Sequence, residues 1–281
     1  MSTDAPNRLR LCRSLLFLPA SNPRAIEKAR TLGADMVILD LEDAVKPEDK
    51  ETARAAAVEA AAAGFGSSLT AIRVNGPGPL QDRDVAAVKD SAADFAVVPR
   101  TAGPDEVIRV AEATGKPVLA MVETAEGVLA ARAIAGAAKA LIAGTNDLAA
   151  DLGLRRGAGR APLATALQTM LLAARAARIA AFDGVHNRLD DLSAFEAECE
   201  EGRSFGFDGK SLIHPSQIEP ANRLFGPSDE ELDRARRLVA AATGGAERFE
   251  GEMIERMHVE QAHFLIARAG QGALAGRAGP H

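Results

Sequence analysis

M-V-I-L-D-L-E-D-A-V, residues Met36 to Val45, joins a short apolar run to three carboxylates. The run holds β-branched residues, is too short for a typical helix, and follows Gly33, so it reads as a buried strand that ends in acid. Side chains alternate along a strand, which points Asp40 and Glu42 the same way and leaves Asp43 to begin the loop. An exposed acidic turn fits these three residues equally well. What separates the two readings is whether other strands in the chain also end in polar groups.

Working outward, Ser14 to Pro19 (S-L-L-F-L-P) is a strand, and Ser21-Asn22-Pro23 supplies cap chemistry for a helix through about Leu32. After the central strand comes an alanine- and glutamate-rich helix from Pro47 to Ala63. Strand patterns then recur at Leu69 to Asn75, Phe95 to Arg100, Pro117 to Thr124, Ala140 to Asp147, Ile179 to Val185 and Phe207 to Pro215, with helical patterns between them. About eight strand–helix alternations over roughly 200 residues match a closed (β/α)8 TIM barrel. A doubly wound open sheet is the runner-up, disfavoured because no G-x-G-x-x-G follows the first strand. The chain divides into a loose N-terminal segment (1–13), the barrel (14–227) and a C-terminal helical arm (228–281). Within the arm, helices are expected from Asp229 to Ala242 and from Glu252 to Ala269 around a Gly244-Gly245 break.

Composition bounds the function. With 281 residues and 47% hydrophobic content the chain can bury a large core. A net charge of −6 with scattered basic residues argues against a nucleic-acid surface. No apolar run approaches the length of a membrane span. Arg8 to Ala20 resembles a signal sequence only superficially, lacks a cleavage site and reads as the first strand. Cys12 and Cys199 form neither a metal-ligand spacing nor a disulfide framework, which fits a reducing cytoplasm.

In such a barrel the chemistry belongs to the carboxyl ends of the strands, where the eight loops converge. Those ends carry Asp40, Glu42 and Asp43; Arg73 and Asn75; Arg100; Glu123; Asn146 and Asp147; Asp183 and His186; and His214. Glu123 and Asp147 end neighbouring strands about 4.8 Å apart, so they can share one cation. Oxygen ligands without His or Cys point to a hard ion such as Mg²⁺. Glu42 and Asp43 would add negative potential and bond to waters on the ion. The same carboxylates also fit plain ion pairs with Arg73 and Arg100. Arg73 offers a rigid fork for a carboxylate or an enolate oxygen, and it fits equally as a counter-charge for Glu42 or Asp43. His186 and His214 read as structural or catalytic. Arg155, Arg156 and Arg160 suit phosphate partners by charge, or a solvated basic loop.

R-S-L-L-F-L-P at Arg13 to Pro19, L-D-L-E-D-A-V at Leu39 to Val45, R-V-N at Arg73 to Asn75, V-E-T-A at Val122 to Ala125, G-T-N-D-L at Gly144 to Leu148 and D-G-K-S-L-I-H-P-S-Q-I at Asp208 to Ile218 together resemble the citrate lyase β-subunit group of the HpcH/HpaI aldolase superfamily. The resemblance implies a Mg²⁺-dependent TIM barrel that makes or breaks a carbon–carbon bond between an acyl-CoA enolate and a 2-oxo acid. It implies Glu123 and Asp147 as metal ligands with Glu42 and Asp43 nearby, and Arg73 and Glu123 as contacts to substrate. It further implies a homo-oligomer, a homotrimer or hexamer. The expected reaction cleaves or forms a 3-hydroxyacyl-CoA such as malyl-, citramalyl- or citryl-CoA, yielding acetyl-CoA and a 2-oxo acid.

Three positions depart from the family pattern: Ala20 stands where glycine is common, Arg100 where lysine is common, and Glu255 in G-E-M-I-E where related lyases carry an aspartate that enters a neighbouring subunit's site as acid/base. Glu255 keeps a carboxyl group that can transfer a proton and is a candidate for that catalytic role rather than an assignment, because its extra methylene shifts a group whose placement matters within an ångström. Two other activities share most of these residues: a CoA-independent metal-dependent aldolase for 2-oxo acids, and a weakly active subunit of a citrate-lyase-type complex.

Overall fold

The computed structural model describes residues 8–275, with side-chain burial described through residue 270; the first seven residues of the N-terminal segment and the last six of the arm lie outside it. Eight parallel strands, β1 (Ser14–Pro19), β2 (Met36–Asp40), β3 (Leu69–Arg73), β4 (Phe95–Val98), β5 (Val118–Val122), β6 (Ala140–Ala143), β7 (Ala180–Asp183) and β8 (Gly209–Leu212), pair in sequence order and close when β8 pairs with β1. This is the (β/α)8 barrel that the alternation predicts, and the open sheet is excluded by its closure.

Around it run α1 (Pro23–Ala29), α2 (Lys50–Ala63), α3 (Pro79–Asp90), α4 (Pro104–Thr114), α5 (Ala125–Leu129), α6 (Ala131–Ala137), α7 (Thr145–Asp151), α8 (Ala164–Ala177), α9 (Leu192–Phe205) and α10 (Ile218–Phe225). Parallel strands covered on both faces read as continuous apolar runs, and all five residues of β2 are buried. Each such Val, Leu, Ile or Met side chain contributes about 1.5–3 kcal/mol of burial. Alternation divides them: Met36 and Ile38 fill the barrel interior with Leu15, Phe95, Leu119 and Phe182, whereas Val37 and Leu39 pack under the helices. The interior row continues to Asp40 on β2, Arg73 on β3 and Glu123 just past β5, so the pleat aims these polar side chains at the mouth.

The sequence pattern overruns several strand ends. The sixth strand stops at Ala143, and Thr145, Asn146 and Asp147 form the first turn of α7 rather than a strand tip. These residue types favour helix starts over strand interiors, and Asp147 stabilises the partial positive charge of that turn. The helical stretch after β5 is two pieces, α5 and α6, that meet at Ala130.

The arm begins with α11 (Asp229–Ala241) and ends with α12 (Arg256–Ala275). Between them, where the pattern predicts the start of a long helix at Glu252, the chain forms a hairpin of β9 (Glu247–Phe249) and β10 (Glu252–Ile254). Its turn uses positive φ at Glu250 and Gly251, and strands of three residues are too short to show period-2 alternation. Ala235, Leu238, Ile254 and Ala262 make a small separate core for the arm. α12 docks at the amino-terminal end of the barrel: Arg268 donates to the Cys12 carbonyl oxygen, and the Arg10 guanidinium lies 5.0 Å from the Phe264 ring centre. From Leu9 onward the N-terminal segment is packed, with Leu9 and Cys12 buried. Among the described residues no helix is long and apolar enough to cross a membrane.

Candidate active site

Strand register builds the first half of the site. Asp40 pairs with Arg73 across β2 and β3, which sets two interior side chains side by side at the mouth. Arg73 donates from Nε to Asp40 Oδ1 (2.7 Å) and from Nη2 to Asp40 Oδ2 (2.6 Å), while Nη1 lies 2.8 Å from Glu42 Oε2. A two-pronged carboxylate clamp of this kind fixes the plane of a guanidinium as well as its position. The ring of Phe17 packs 5.4 Å from the guanidinium carbon. Asp40 also accepts the backbone N–H groups of Glu42 (2.9 Å) and Ala44 (3.3 Å), so it shapes the loop that carries Glu42 and Asp43. Lys50 completes that loop from behind, donating to the carbonyl oxygens of Leu41 and Glu42 and to Asn75 Oδ1.

Burial works against the charge on Arg73, but the hydrogen bonds and charge of Asp40, with Glu42 and Glu123, outweigh it and raise its pKa above the usual arginine value. Burial pushes Glu42 up to about 8; Arg73 opposes this, while Asp43, Glu123 and Asp40 add to it. Asp43 is exposed and lines the mouth.

Glu123 and Asp147 form the second half. Glu123 is almost fully buried, and its Oε1 accepts the Arg100 N–H at 2.5 Å. Burial raises its pKa, the Arg100 N–H lowers it, and the nearby charge of Asp147 raises it again. Gly144 follows β6 directly beside Glu123, because its N–H bonds to the Val122 carbonyl oxygen. A Cβ at Gly144 would stand 2.3 Å from both Cβ and Oε2 of Glu123, so only glycine leaves room for that carboxylate. Asp147, half-exposed on the first turn of α7, lies 3.7 Å through Oδ1 from Arg100 Nη1. Of the ion pairs that the sequence allowed, Arg73 with Glu42 and Arg100 with Asp147 are present.

Arg73, Glu123, Asp147 and Asp43 line one cavity of about 440 Å³ together with Phe17 and Ile213. No group of three or more His, Cys, Asp or Glu side chains arranged for a metal occurs among the described residues. Two carboxylates in a roomy mouth without His or Cys fit Mg²⁺, which keeps several waters and takes its remaining ligands from substrate, and they do not fit a protein-saturated zinc site. A larger cleft of about 1000 Å³ opens at the opposite end of the barrel. Arg13, Arg203 and Arg223 line it, but each is held by a carboxylate, Asp35, Glu231 and Glu196 respectively, so it offers no convergent free chemistry.

Other sequence candidates lie elsewhere. His186 sits behind the mouth wall with Nδ1 2.8 Å from Glu198 Oε2, and His214 caps the turn after β8 by accepting the Ser216 N–H. Arg160 is turned inward onto Asp183, Glu198 and Glu201, which removes it as a phosphate partner and makes it an anchor for its loop; Arg155 and Arg156 remain exposed. Glu255 is exposed between β10 and α12, its N–H donating to His258 Nδ1, and it does not line the mouth of its own chain. Asp40 as the holder of Arg73, Lys50 behind the loop and the steric need at Gly144 went unrecognised in the sequence. Only the adjacent-strand placement of Asp40 and Arg73 could have signalled the first of these.

Comparison with known proteins gives the same frame. Residues 13–215 match the family model HpcH/HpaI aldolase/citrate lyase. The (3S)-malyl-CoA thioesterase of Cereibacter sphaeroides (strain ATCC 17025 / ATH 2.4.3) is 41% identical, the match covering 92% of this chain and 94% of the relative. The citrate lyase subunit beta of Leuconostoc mesenteroides subsp. cremoris is 34% identical over 94% of this chain and 95% of its own. Among solved structures, CitE from Mycobacterium tuberculosis in complex with magnesium, acetoacetate and coenzyme A superimposes with a TM-score of 0.77 at 35% identity, covering 93% of this chain and 100% of that one. With register, mouth residues and family match in agreement, the chain belongs to the HpcH/HpaI aldolase/citrate lyase family.

Proposed function

We propose that this protein is a Mg²⁺-dependent carbon–carbon lyase that cleaves or forms a 3-hydroxyacyl-CoA, with acetyl-CoA and a 2-oxo acid as the other side of the reaction. The observation that carries the reading is the convergence of Glu123, Asp147 and the clamped Arg73 on one mouth cavity. The magnesium, acetoacetate and coenzyme A of the M. tuberculosis CitE complex support the ligand classes, and the names of the thioesterase and citrate lyase relatives support an acyl-CoA substrate.

Glu123 and Asp147 would hold Mg²⁺, which when bound supplies Lewis-acid polarisation of the substrate's hydroxyl and carboxylate oxygens. Arg73 enters the reaction already oriented by Asp40 and Glu42, so the second hydrogens of Nη1 and Nη2, which those carboxylates leave over, can stabilise the negative charge that develops on oxygen without reorganising. In the cleavage direction the 3-hydroxyl loses its proton, the C2–C3 bond breaks, and the electron pair passes into the thioester enolate. Protonation at C2 then gives acetyl-CoA. We assign Glu255 of a second copy as the acid/base that accepts the hydroxyl proton and returns one to C2. Its exposure beside Met253 and Met257, both exposed as well, supports an arm tip that is covered by another subunit. The assembly proposed is a homotrimer or a hexamer built from it. Two unpaired buried thiols, Cys12 and Cys199, support a reducing cytoplasmic location.

A second reading, thioester hydrolysis, is favoured by the name of the 41% identical relative. One assay separates the two. Malyl-, citramalyl- and citryl-CoA are supplied with Mg²⁺, and both 2-oxo acid and free thiol are followed for the parent chain and Asp147→Ala. Release of 2-oxo acid that the variant loses supports the lyase, thiol without 2-oxo acid supports hydrolysis, and the absence of both overturns the acyl-CoA assignment.

A further inference from the structure

Three non-glycine residues in the described chain have positive φ: Arg100 (50°), Arg178 (60°) and Glu250 (48°). Arg178 ends a helix in the left-handed conformation, and Glu250 sits in the hairpin turn of the arm. Those are ordinary uses of this backbone. Arg100 has neither excuse. It follows β4 at the mouth, and a non-glycine residue held in this region signals a constraint imposed from elsewhere. The constraint is visible in its contacts. The left-handed backbone aims its N–H at Glu123 Oε1 (2.5 Å), and its guanidinium reaches toward Asp147 Oδ1 (3.7 Å). One residue thus touches both carboxylates of the candidate metal pair, the first through the backbone and the second through the side chain.

These two contacts differ in kind. The backbone bond is buried and short, and an N–H donor to one oxygen leaves the other free for a cation. The side-chain contact is long and wet, with 56% of the Arg100 side chain and 43% of the Asp147 side chain exposed. Arg73 does not substitute for it, because Asp40 and Glu42 hold that guanidinium on their own side of the mouth. An arginine stays charged at any working pH, so Arg100 can yield Asp147 only by swinging away. A divalent cation on Asp147 would lie within a few ångströms of that guanidinium, and the two positive charges repel.

We propose that Arg100 is a positioning residue that orients Glu123 through its backbone N–H and, through its guanidinium, competes with the divalent cation for Asp147. The inference rests on the metal-site reading above and adds to it a counter-charge that the metal must displace. Its backbone and its side chain then act oppositely on the metal. The N–H orients Glu123 for binding, whereas the guanidinium opposes binding at Asp147.

Direct calorimetric titration of Mg²⁺ into the full chain tests this with no turnover involved. Arg100→Gln removes the guanidinium. Arg100→Gly removes it too and keeps the left-handed backbone without strain, so the N–H stays on Glu123 even if glutamine disturbs the loop. Both variants are expected to bind Mg²⁺ about fivefold more tightly than the parent, the scale of one exposed like-charge contact. Arg100→Lys is expected to stay near the parent value. A merely structural Arg100 would instead weaken Mg²⁺ binding when replaced. Unchanged or weakened Mg²⁺ affinity in both variants overturns the inference alone. Failure of the parent chain to bind Mg²⁺ at all overturns the metal-site reading and this inference with it.

Discussion

Gly144 shows how much of the site depends on one missing atom. Nothing in its φ of −95° demands glycine; the demand comes from Glu123, whose Cβ and Oε2 occupy the space a methyl group would need. Gly144→Ala therefore pushes the Glu123 carboxylate off the Arg100 N–H while leaving both candidate ligands in the sequence. Metal affinity measured by Mg²⁺ titration should fall by about 10- to 100-fold, as for other changes that misdirect a ligand, with thermal stability less affected. If Gly144→Ala binds Mg²⁺ like the parent, Glu123 is not a ligand in this position. Arg73 makes the complementary point. Its type and place at a strand end were legible, but the division of its hydrogen bonds between Asp40 and Glu42 was not, because register between neighbouring strands depends on how the barrel closes.

At the level of elements, caps and short strands divide what could be read from what could not. Ser228 opens α11 with a capping box: its hydroxyl accepts the Glu231 N–H, and the Glu231 carboxylate accepts the Ser228 N–H. The S-x-x-E pattern is visible in the sequence, and Ser228→Ala should cost about 1 kcal/mol in a denaturant titration. Partial burial raises the pKa of Glu231, but the hydrogen bonds from Arg203 and the Ser228 N–H outweigh it and hold it below the ordinary 4.5. The unfolded chain then binds this proton at higher pH than the folded one. The stabilisation is complete above about pH 4.5 and drains away as pH falls through the folded value. Glu231→Gln should accordingly flatten the acid limb of stability against pH while changing little of its slope above neutrality. The hairpin between α11 and α12 had no comparable signal. Its strands hold three residues each, and the apolar spacing of Met253 and Ile254 blends into the helix that follows.

For the whole molecule, the arm is the part whose meaning extends past one chain. It docks under the amino-terminal end of the barrel through Arg268 and Phe264, while the candidate site opens at the carboxyl end, and Glu255 does not line the mouth of its own chain. The proposed exchange of arms makes a quantitative prediction. Chains carrying Asp147→Asn and chains carrying Glu255→Gln are each expected to be inactive alone. Co-expressed in equal amounts and assembled at random in a closed ring, about a quarter of the mouths would pair an intact Asp147 with an intact Glu255 from a neighbour. Recovery of about that fraction of parent turnover would establish the shared site. Mixed oligomers without any recovered activity would return Glu255 to the role of a solvated residue.

Local pattern was enough for the barrel. Eight alternations of apolar strand and amphipathic helix leave little choice of topology, and strand parity alone sends Asp40, Arg73 and Glu123 inward. The chemistry-bearing residue types could be read the same way, because polar groups at the ends of buried strands are costly and rarely placed there without a use. What local pattern does not contain is contact between distant segments. Arg73 and Asp40 are 33 residues apart, Arg100 and Glu123 are 23 apart, and the clash that reserves Gly144 for glycine exists only once β5 lies beside β6. The left-handed backbone of Arg100 belongs with these: nothing in V-V-P-R-T announces it, and it is held by a carboxylate on the neighbouring strand. Closure of the barrel brings these groups to bonding distance, and with them the electrostatics of the mouth.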